Sequence, residues 1–320
     1  MRAALYDRYG PPDVLYEGRL PKPAPAPGEV LVQVRASNVN GGELHGRAGK
    51  IRLATGVLGR GFPKRVGIDF AGEIAETGEG VAEYGPGDRV WGALPRRFGS
   101  TAEFVAVPTS HIAPAPKNLD LVQAAALPAV GATAIIALRD KAKLQRGERL
   151  LVRGGAGGVG SVAVQLGHAY GAHVTALASA RHRDAVLALG ADEVLDYRTA
   201  RPETLGRFDV VLDTVGTEFP VYRNLLTRSG RMVAIAFDLD HVVASLSYLF
   251  AASVFARRKI HFFSGNPRTD LFTDLTRLTE SGAIRPVVHT VFPLAKIAEA
   301  HHTLEAGGVL GKIVIEVQPH

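Results

Sequence analysis

The 320-residue sequence contains no cysteine, which limits the chemistry available to the protein. Disulfide bonds are excluded, and so is every metal site that depends on a thiolate ligand, including structural zinc sites. The 11 histidines are scattered or adjacent and lack the ligand spacing of a metal-binding motif. We therefore expect no bound metal.

The sequence also lacks a hydrophobic run that could cross a bilayer. Its longest apolar stretch, residues 242–256, falls short of the roughly 20 residues that a spanning helix requires. We expect this stretch to form a buried helix, a pocket wall or a dimer contact. Because the N-terminal segment has no apolar run of signal-peptide length, we expect a cytoplasmic protein without membrane association.

Basic residues outnumber acidic ones, giving a formal net charge of +6 at pH 7, a balance that favours an anionic partner. The basic residues form only short clusters, at residues 181–183 and 257–259, with no basic stripe interleaved with aromatic residues. We therefore expect no nucleic-acid partner and interpret the clusters as sites for a phosphorylated small molecule.

Hydrophobic patterns divide the chain into two kinds of structure. Residues 1 to about 110 contain alternating segments such as GEVLVQVRAS and AEFVAVP, which predict a mostly β, barrel-like domain. From Glu148, short continuous apolar runs alternate with helical segments, which is typical of parallel strands covered on both faces. Between these parts, helical spacing from Leu119 is expected to be broken at Pro128 and Gly131. The predicted fold class is α/β, with a doubly wound parallel sheet.

The segment LLVRGGAGGVGSVAVQLG places glycines between a predicted strand and a predicted helix. Gly155, Gly157 and Gly160 form a G-x-G-x-x-G pattern. Such glycines permit a tight turn, the close approach of a pyrophosphate and close packing of the helix on the strand. The helix N-terminus then directs free N–H groups toward the anion. This combination predicts a dinucleotide-binding (Rossmann) unit.

The end of the next predicted strand indicates which dinucleotide binds. NAD-binding units usually have an Asp or Glu there, which accepts hydrogen bonds from the ribose hydroxyls. This strand instead ends in ALAS and is followed by Arg181, His182 and Arg183. Since basic side chains attract a 2′-phosphate and Ser179 can donate a hydrogen bond to it, we expect NADPH as the cofactor.

Several stretches resemble the medium-chain dehydrogenase/reductase superfamily, and in particular its zinc-independent quinone oxidoreductase (zeta-crystallin-like) branch. The resemblance covers nearly the whole chain and is carried by RASNVNGGELHGRAG, VGIDFAGEIAETGEGVAEYGPGDRV, GGAGGVG, LGADEVLDYR, DVVLDTVG and AIRPVVHTVFPLAKIAEAHHTLEAGGVLGKIVI. It implies a GroES-like catalytic barrel made of residues 1–124 and 265–320, a Rossmann NADPH-binding domain at 125–264, and a homodimer. Zinc-dependent relatives place a Gly-His-Glu segment at the metal, where this chain has Gly67-Ile68-Asp69.

The catalytic candidates are Asn40, Glu43 and His45. The resemblance implies that Asn40 lies beside the nicotinamide ribose and the substrate, and that Glu43 replaces an Asp usual in the branch. His45, close to Asn40 in the chain, is a candidate proton donor. The cofactor-binding candidates that follow from the glycine pattern, the basic cluster and the resemblance are Asn40, Thr133, Gly155, Ala156, Gly157, Gly158, Val159, Ser179, Arg181, Arg183, Tyr197, Val215, Ala236, Phe262, Ser264 and Lys312. Plainer interpretations exist, with Asn40 as a turn residue, Thr133 as a helix cap, and Glu43 and Lys312 as surface charges.

We therefore expect a metal-free NADPH-dependent reductase that transfers hydride to a small hydrophobic electrophile, either a quinone or an α,β-unsaturated carbonyl. Such an acceptor needs little acid–base machinery, because the cofactor carries the difficult chemistry. Two alternatives remain open. One is an enoyl-thioester reductase, for which the 257–259 cluster could bind a phosphate. The other is an NADPH-binding sensor or scaffold with little turnover.

Overall fold

The structure, a computed structural model, describes residues 1–50, 61–95, 97–236, 260–263, 265 and 267–317. The apolar stretch 242–256, the basic cluster 257–259 and Ser264 lie outside the described residues. The chain divides into two compact units. Unit 1 comprises Met1–Ala132, Asn266–Gly282 and Pro286–His320, and unit 2 comprises Thr133–Gly265 and Ala283–Arg285.

The strands are β1 (Arg2–Tyr6), β2 (Tyr16–Arg19), β3 (Glu29–Asn38), β4 (Lys64–Arg65), β5 (Asp69–Thr77), β6 (Arg89–Ala93), β7 (Phe104–Pro108), β8 (Ile112–Pro114), β9 (Arg149–Arg153), β10 (His173–Ala178), β11 (Glu193–Asp196), β12 (Phe208–Asp213), β13 (Leu226–Ala234), β14 (Ile260–Phe262), β15 (Val288–Pro293) and β16 (Lys312–Glu316). The α-helices are α1 (Gly41–Arg47), α2 (Leu121–Ala124), α3 (Pro128–Ile135), α4 (Gly158–Ala169), α5 (Arg183–Leu187), α6 (Phe219–Asn224), α7 (Thr269–Glu280) and α8 (Ile297–Glu305). A π-helical turn spans Ile136–Lys141, and short 3₁₀ turns span Pro12–Val14, Thr109–His111, Ala180–His182, Pro202–Thr204 and Leu294–Lys296. None of the helices in the described residues is long and apolar enough to span a membrane.

Unit 1 is built mainly from antiparallel strands. A seven-stranded sheet has the order β15-β16-β3-β5-β6-β8, with β7 also pairing with β3, and a three-stranded sheet has the order β2-β1-β4. Buried valines and isoleucines of β3, β5, β6 and β16 belong to the main hydrophobic core of this unit. The late strand β16 runs antiparallel to β3, so residues from the two ends of the chain share one sheet.

Unit 2 contains one parallel sheet of six strands, in the order β11-β10-β9-β12-β13-β14. Helices α4, α5 and α6 connect successive strands, and the order reverses between β9 and β12, as in a doubly wound sheet. Strand interiors such as Leu150–Val152 and Val210–Leu212 are fully buried, because helices cover both faces. The predicted α/β fold class, with a Rossmann sheet and a mostly β domain, is confirmed.

The expected helix break at Gly131 is wrong. Pro128 begins α3, where its missing N–H is tolerated, but Gly131 lies inside this helix. A Cβ atom at Gly131 would lie 2.5 Å from Cδ1 of Leu275 on α7. The glycine therefore provides room for this leucine against the helix and does not interrupt it.

Candidate functional site

The predicted cofactor-binding residues of unit 2 lie along one edge of its sheet. All six strands are parallel, so their carboxyl ends share that edge, which we call the cofactor edge. Gly155, Ala156, Gly157, Gly158 and Val159 follow β9, Ser179, Arg181 and Arg183 follow β10, Tyr197 follows β11, Val215 follows β12, Ala236 follows β13, and Phe262 ends β14. The structure thus brings these residues to one side of unit 2.

The glycine loop has the tight geometry that its sequence predicts. Gly154 has a φ of +76°, which favours glycine. A Cβ atom at Gly160 would lie 2.0 Å from the Gly154 carbonyl oxygen, so the loop packs directly on the first turn of α4. Gly157 is the N-cap of α4 and provides no capping side chain. The first N–H groups of the helix, which have no partner within it, can therefore bind an anion.

A basic cluster lies at the same edge, beside the ends of β10 and β11. Arg181 and Arg183 are exposed, and Ser179 is buried directly after β10. Tyr197 is 55% exposed, and the guanidinium of Arg198 lies 5.3 Å from the centre of its ring. Arg198 was missed by sequence reasoning, although it directly follows Tyr197 in the family-like LDYR segment. The edge therefore presents Arg181 and Arg183 where an NAD-binding unit usually has a carboxylate, and Arg198 after the neighbouring strand β11.

A second group of candidates is hydrogen-bonded together in unit 1. The Asn40 side-chain amide nitrogen donates to Glu43 Oε1 at 3.1 Å and to Asp69 Oδ1 at 2.8 Å. The Lys312 ammonium donates to Asn40 Oδ1 at 2.8 Å and to the Val39 carbonyl at 2.6 Å. We call Asn40, Glu43, Asp69 and Lys312 the Asn40 network. Glu43, Asp69 and Lys312 are all buried, so neither Glu43 nor Lys312 is a surface charge.

Asp69 is the member of this network that sequence reasoning missed as a site residue. Its Oδ2 atom accepts from the Asn38 side chain at 2.8 Å and from the backbone N–H of Ala129 at 2.9 Å. Its Oδ1 atom accepts from Asn40. The only sequence signal was its place at the end of Gly67-Ile68-Asp69, next to the position where zinc-dependent relatives have a metal ligand.

Burial changes the acid–base properties of the network. Burial raises the pKa of Glu43 from 4.5 to about 7, although hydrogen bonds from Asn40 and Gly67 and the charge of Lys312 favour its ionised form. Burial also lowers the pKa of Lys312, while the Asp69 and Glu43 carboxylates oppose this effect. Ionisation of Glu43 therefore adds one negative charge to the buried network.

The two remaining candidates, His45 and Thr133, lie on two different helices. His45 is half-buried on α1, two residues after Glu43. Positions two apart on a helix point to different faces, so His45 and Glu43 do not share a face. Thr133 is half-buried on α3, at the start of unit 2.

Together, the doubly wound sheet, the glycine loop and the basic cluster define a dinucleotide-binding protein. Two family descriptions also match the sequence: "Alcohol dehydrogenase GroES-like domain" over residues 26–117 and "Zinc-binding dehydrogenase" over residues 189–315. The chain is 33% identical to the human mitochondrial NAD(P)H oxidoreductase RTN4IP1, over 99% of this chain and 89% of the human protein. It is also 33% identical to an NADPH-dependent alkenal/one oxidoreductase, chloroplastic, of Arabidopsis thaliana, over 98% of this chain and 79% of that protein.

A solved structure extends this similarity to the whole fold. The quinone oxidoreductase from Coxiella burnetii superimposes with a TM-score of 0.88 at 28% identity, covering 99% of both chains. The protein therefore belongs to the medium-chain dehydrogenase/reductase superfamily, in its quinone oxidoreductase branch. It is an oxidoreductase that uses a nicotinamide cofactor.

Proposed function

We propose that the protein is an NADPH-dependent reductase of quinones or α,β-unsaturated carbonyls that works without a metal. The main support is the cofactor edge, where the glycine loop and three arginines lie together and where no carboxylate follows β10 directly. The similarity to an alkenal/one oxidoreductase and to a quinone oxidoreductase supports the proposed substrate class.

The residues of the cofactor edge fit NADPH. The first N–H groups of α4 would hold the pyrophosphate, because Gly157 has no side chain to obstruct its approach. Ser179, Arg181 and Arg183 would hold the 2′-phosphate through charge-assisted hydrogen bonds. When bound, NADPH supplies the hydride for reduction.

The hydrogen bonds of Asn40 restrict what its side chain can do. Both of its N–H groups are used, because its amide nitrogen donates to Glu43 and to Asp69. Its Oδ1 atom accepts one hydrogen bond from Lys312 and retains a second lone pair. We therefore propose that Asn40 acts as an acceptor, for a hydroxyl or amide N–H of the cofactor or the substrate. It would not donate to the developing oxyanion of the substrate.

The absence of cysteine supports metal-free chemistry, because the thiolate ligands of zinc-dependent relatives cannot form. In the part of the chain that the structure describes, no group of three or more His, Asp or Glu residues is arranged to hold a metal ion. An acceptor that is already electrophilic needs no Lewis acid, and solvent can protonate the reduced product.

Steady-state oxidation of NADPH and NADH tests this function, with a planar ortho-quinone and with a simple enone, each with and without EDTA. We expect turnover that prefers NADPH and is insensitive to EDTA. Loss of activity with EDTA would overturn the metal-free mechanism. Tight NADPH binding without turnover on either acceptor would favour an enoyl-thioester reductase or a non-catalytic NADPH-binding protein. The homodimer and the cytoplasmic location remain predictions, and light scattering tests the first.

A further inference from the structure

A buried ion pair lies at the point where the strand order of unit 2 reverses. Arg153 ends β9 and Asp213 ends β12, and the two residues are direct partners in the parallel register of these central strands. Arg153 Nη1 lies 2.6 Å from Asp213 Oδ2, and the two side chains are 6% and 0% exposed. Burying two charges is costly unless their remaining hydrogen bonds are satisfied. Doubly wound sheets bind their ligands at this reversal point.

The ion pair fixes the loop that follows β12, residues 214–217. Asp213 Oδ1 accepts from the backbone N–H groups of Val215 and Gly216 at 2.8 and 2.9 Å. Arg153 Nη1 also donates to the carbonyl of Thr217 at 2.5 Å. The 214–217 loop is therefore held by both members of the pair.

The same loop is attached to the glycine loop. The Thr214 hydroxyl donates to the Arg153 carbonyl at 2.7 Å. A Cβ atom at Gly154 would lie 2.4 Å from this hydroxyl, so the contact depends on glycine at that position. The two loops on either side of the reversal point are thus fixed to each other.

The outer side of the Arg153 guanidinium is also occupied. It lies 3.6 Å from the centre of the Tyr222 ring, and its Nη2 atom is 3.3 Å from Glu218 Oε2. Lysine cannot replace this combination, because only a planar guanidinium stacks on a ring while donating in several fixed directions.

The loop can offer a ligand only certain groups. The N–H groups of Val215 and Gly216 are used by Asp213, whereas among the described residues no hydrogen bond uses the carbonyls of Thr214 or Val215. The Val215 side chain is 47% exposed. The loop therefore suits an uncharged group with hydroxyl or amide donors, and the neighbouring glycine loop suits phosphate.

We propose that Arg153 is a positioning residue that holds the 214–217 loop in place for the uncharged, nicotinamide-bearing half of the cofactor. This inference rests on the proposed function, because it assumes that NADPH binds at the cofactor edge.

The test compares Arg153→Lys with Arg231→Lys. Arg231 is a matched control, because it forms a two-bond ion pair with Glu148, at 2.6 and 2.7 Å, near the opposite edge of the same sheet. Binding of NADPH, NADH and adenosine 2′,5′-bisphosphate is measured by titration, together with KM, kcat and thermal stability. The bisphosphate carries the 2′-phosphate but lacks nicotinamide.

We expect Arg153→Lys to raise the Kd of NADPH and of NADH by about tenfold each and to leave bisphosphate binding unchanged within about twofold. Arg231→Lys should lower the melting temperature without changing any Kd. Equal binding in the two variants, or an equal loss of bisphosphate and NADPH binding in Arg153→Lys, would overturn the inference. A wild-type protein that binds neither dinucleotide would instead overturn the proposed function.

Thr214→Val provides a second variant that disturbs no buried charge. It removes the hydroxyl that joins the two loops and keeps the shape of the side chain. We expect a rise of about threefold in the Kd of NADPH, with bisphosphate binding unchanged. No change in the Kd of NADPH would count against a positioning role for this part of the sheet, even if Arg153→Lys failed to fold.

Discussion

The cofactor edge of unit 2 and the Asn40 network of unit 1 differ in how far backbone groups or side chains form the site. At the cofactor edge, the glycine loop acts through its backbone, and its residues are consecutive in the sequence. In the Asn40 network, side chains separated by 29 and 272 positions meet at one carboxamide, and three of them are buried and ionisable. The first site therefore depends on local shape, while the second depends on charge balance within the fold. Substitutions should affect the first through ligand binding and the second through stability and pH dependence.

The largest effect is expected at Gly157. A Cβ atom there would lie 3.3 Å from the Gly154 carbonyl oxygen, a tight contact that a small shift of the loop must relieve, and the side chain would block the approach of a pyrophosphate. Gly157→Val should therefore weaken NADPH binding by more than about 100-fold and lower the melting temperature only slightly, because valine is a poorer N-cap than glycine. Gly160→Ala should instead destabilise unit 2, because its Cβ would lie 2.0 Å from the Gly154 carbonyl oxygen. Unchanged NADPH affinity in Gly157→Val would mean that the loop does not hold the cofactor.

The next effect is a loss of stability in unit 1. Asp69→Asn places an amide where Asp69 accepts three hydrogen bonds, so at least one buried donor loses its partner. We expect the free energy of unfolding to fall by about 3 kcal/mol. The single tryptophan, Trp91, is buried in unit 1 and reports this transition by fluorescence during urea unfolding. Glu73→Gln on the same strand is the control, because its ion pair with Arg35 is partly exposed and should contribute less than about 1 kcal/mol. Equal losses in the two variants would contradict a special role for Asp69.

Charge reversal at the basic cluster should change cofactor preference. The double variant Arg181→Glu with Arg183→Glu should raise the Kd of NADPH by about 30-fold and that of NADH by less than about threefold, because only NADPH carries the 2′-phosphate. The control is Arg146→Glu with Arg207→Glu, which makes the same change in charge at exposed positions preceding β9 and β12. If the control variant weakened NADPH binding equally, the effect would reflect the net charge of the protein and not a phosphate site.

The smallest effect concerns the pH dependence of stability. Glu43 has a pKa of 4.5 when unfolded and about 7 when folded, so between these values the folded protein holds a proton that the unfolded chain has released. The contribution of Glu43 to the free energy of unfolding therefore decreases as the pH rises from about 4.5 to 7, and it is constant above that range. Glu43→Gln cannot ionise and should lack this decrease. The difference between wild type and variant should change by at least about 1 kcal/mol across this range, measured by Trp91 fluorescence. A constant difference would show that Glu43 is already ionised at pH 5.

The two regions also differ in how far sequence could predict them. The glycine loop was predictable because its spacing, its preceding strand and its following helix are all local. Asp69 was not predicted as the centre of the Asn40 network, because its partners are brought to it by the pairing of β3, β5 and β16. Gly131 was misinterpreted for the same reason, since the residue that requires it, Leu275, is distant in the sequence. Patterns reveal local geometry, but they do not reveal which distant side chains a buried charge will meet.

The pairing of β16 with β3 has a consequence for the order in which the protein is made. Unit 2 is almost continuous in sequence, so a nascent chain can complete its parallel sheet soon after residue 265 emerges from the ribosome. Unit 1 must wait for β16, and its first residue is Lys312, the only cation of the Asn40 network. A polypeptide released before that point would have a complete dinucleotide-binding sheet but no counter-charge for the buried carboxyl groups. The sheet that carries the glycine loop would thus be complete earlier during synthesis than the Asn40 network.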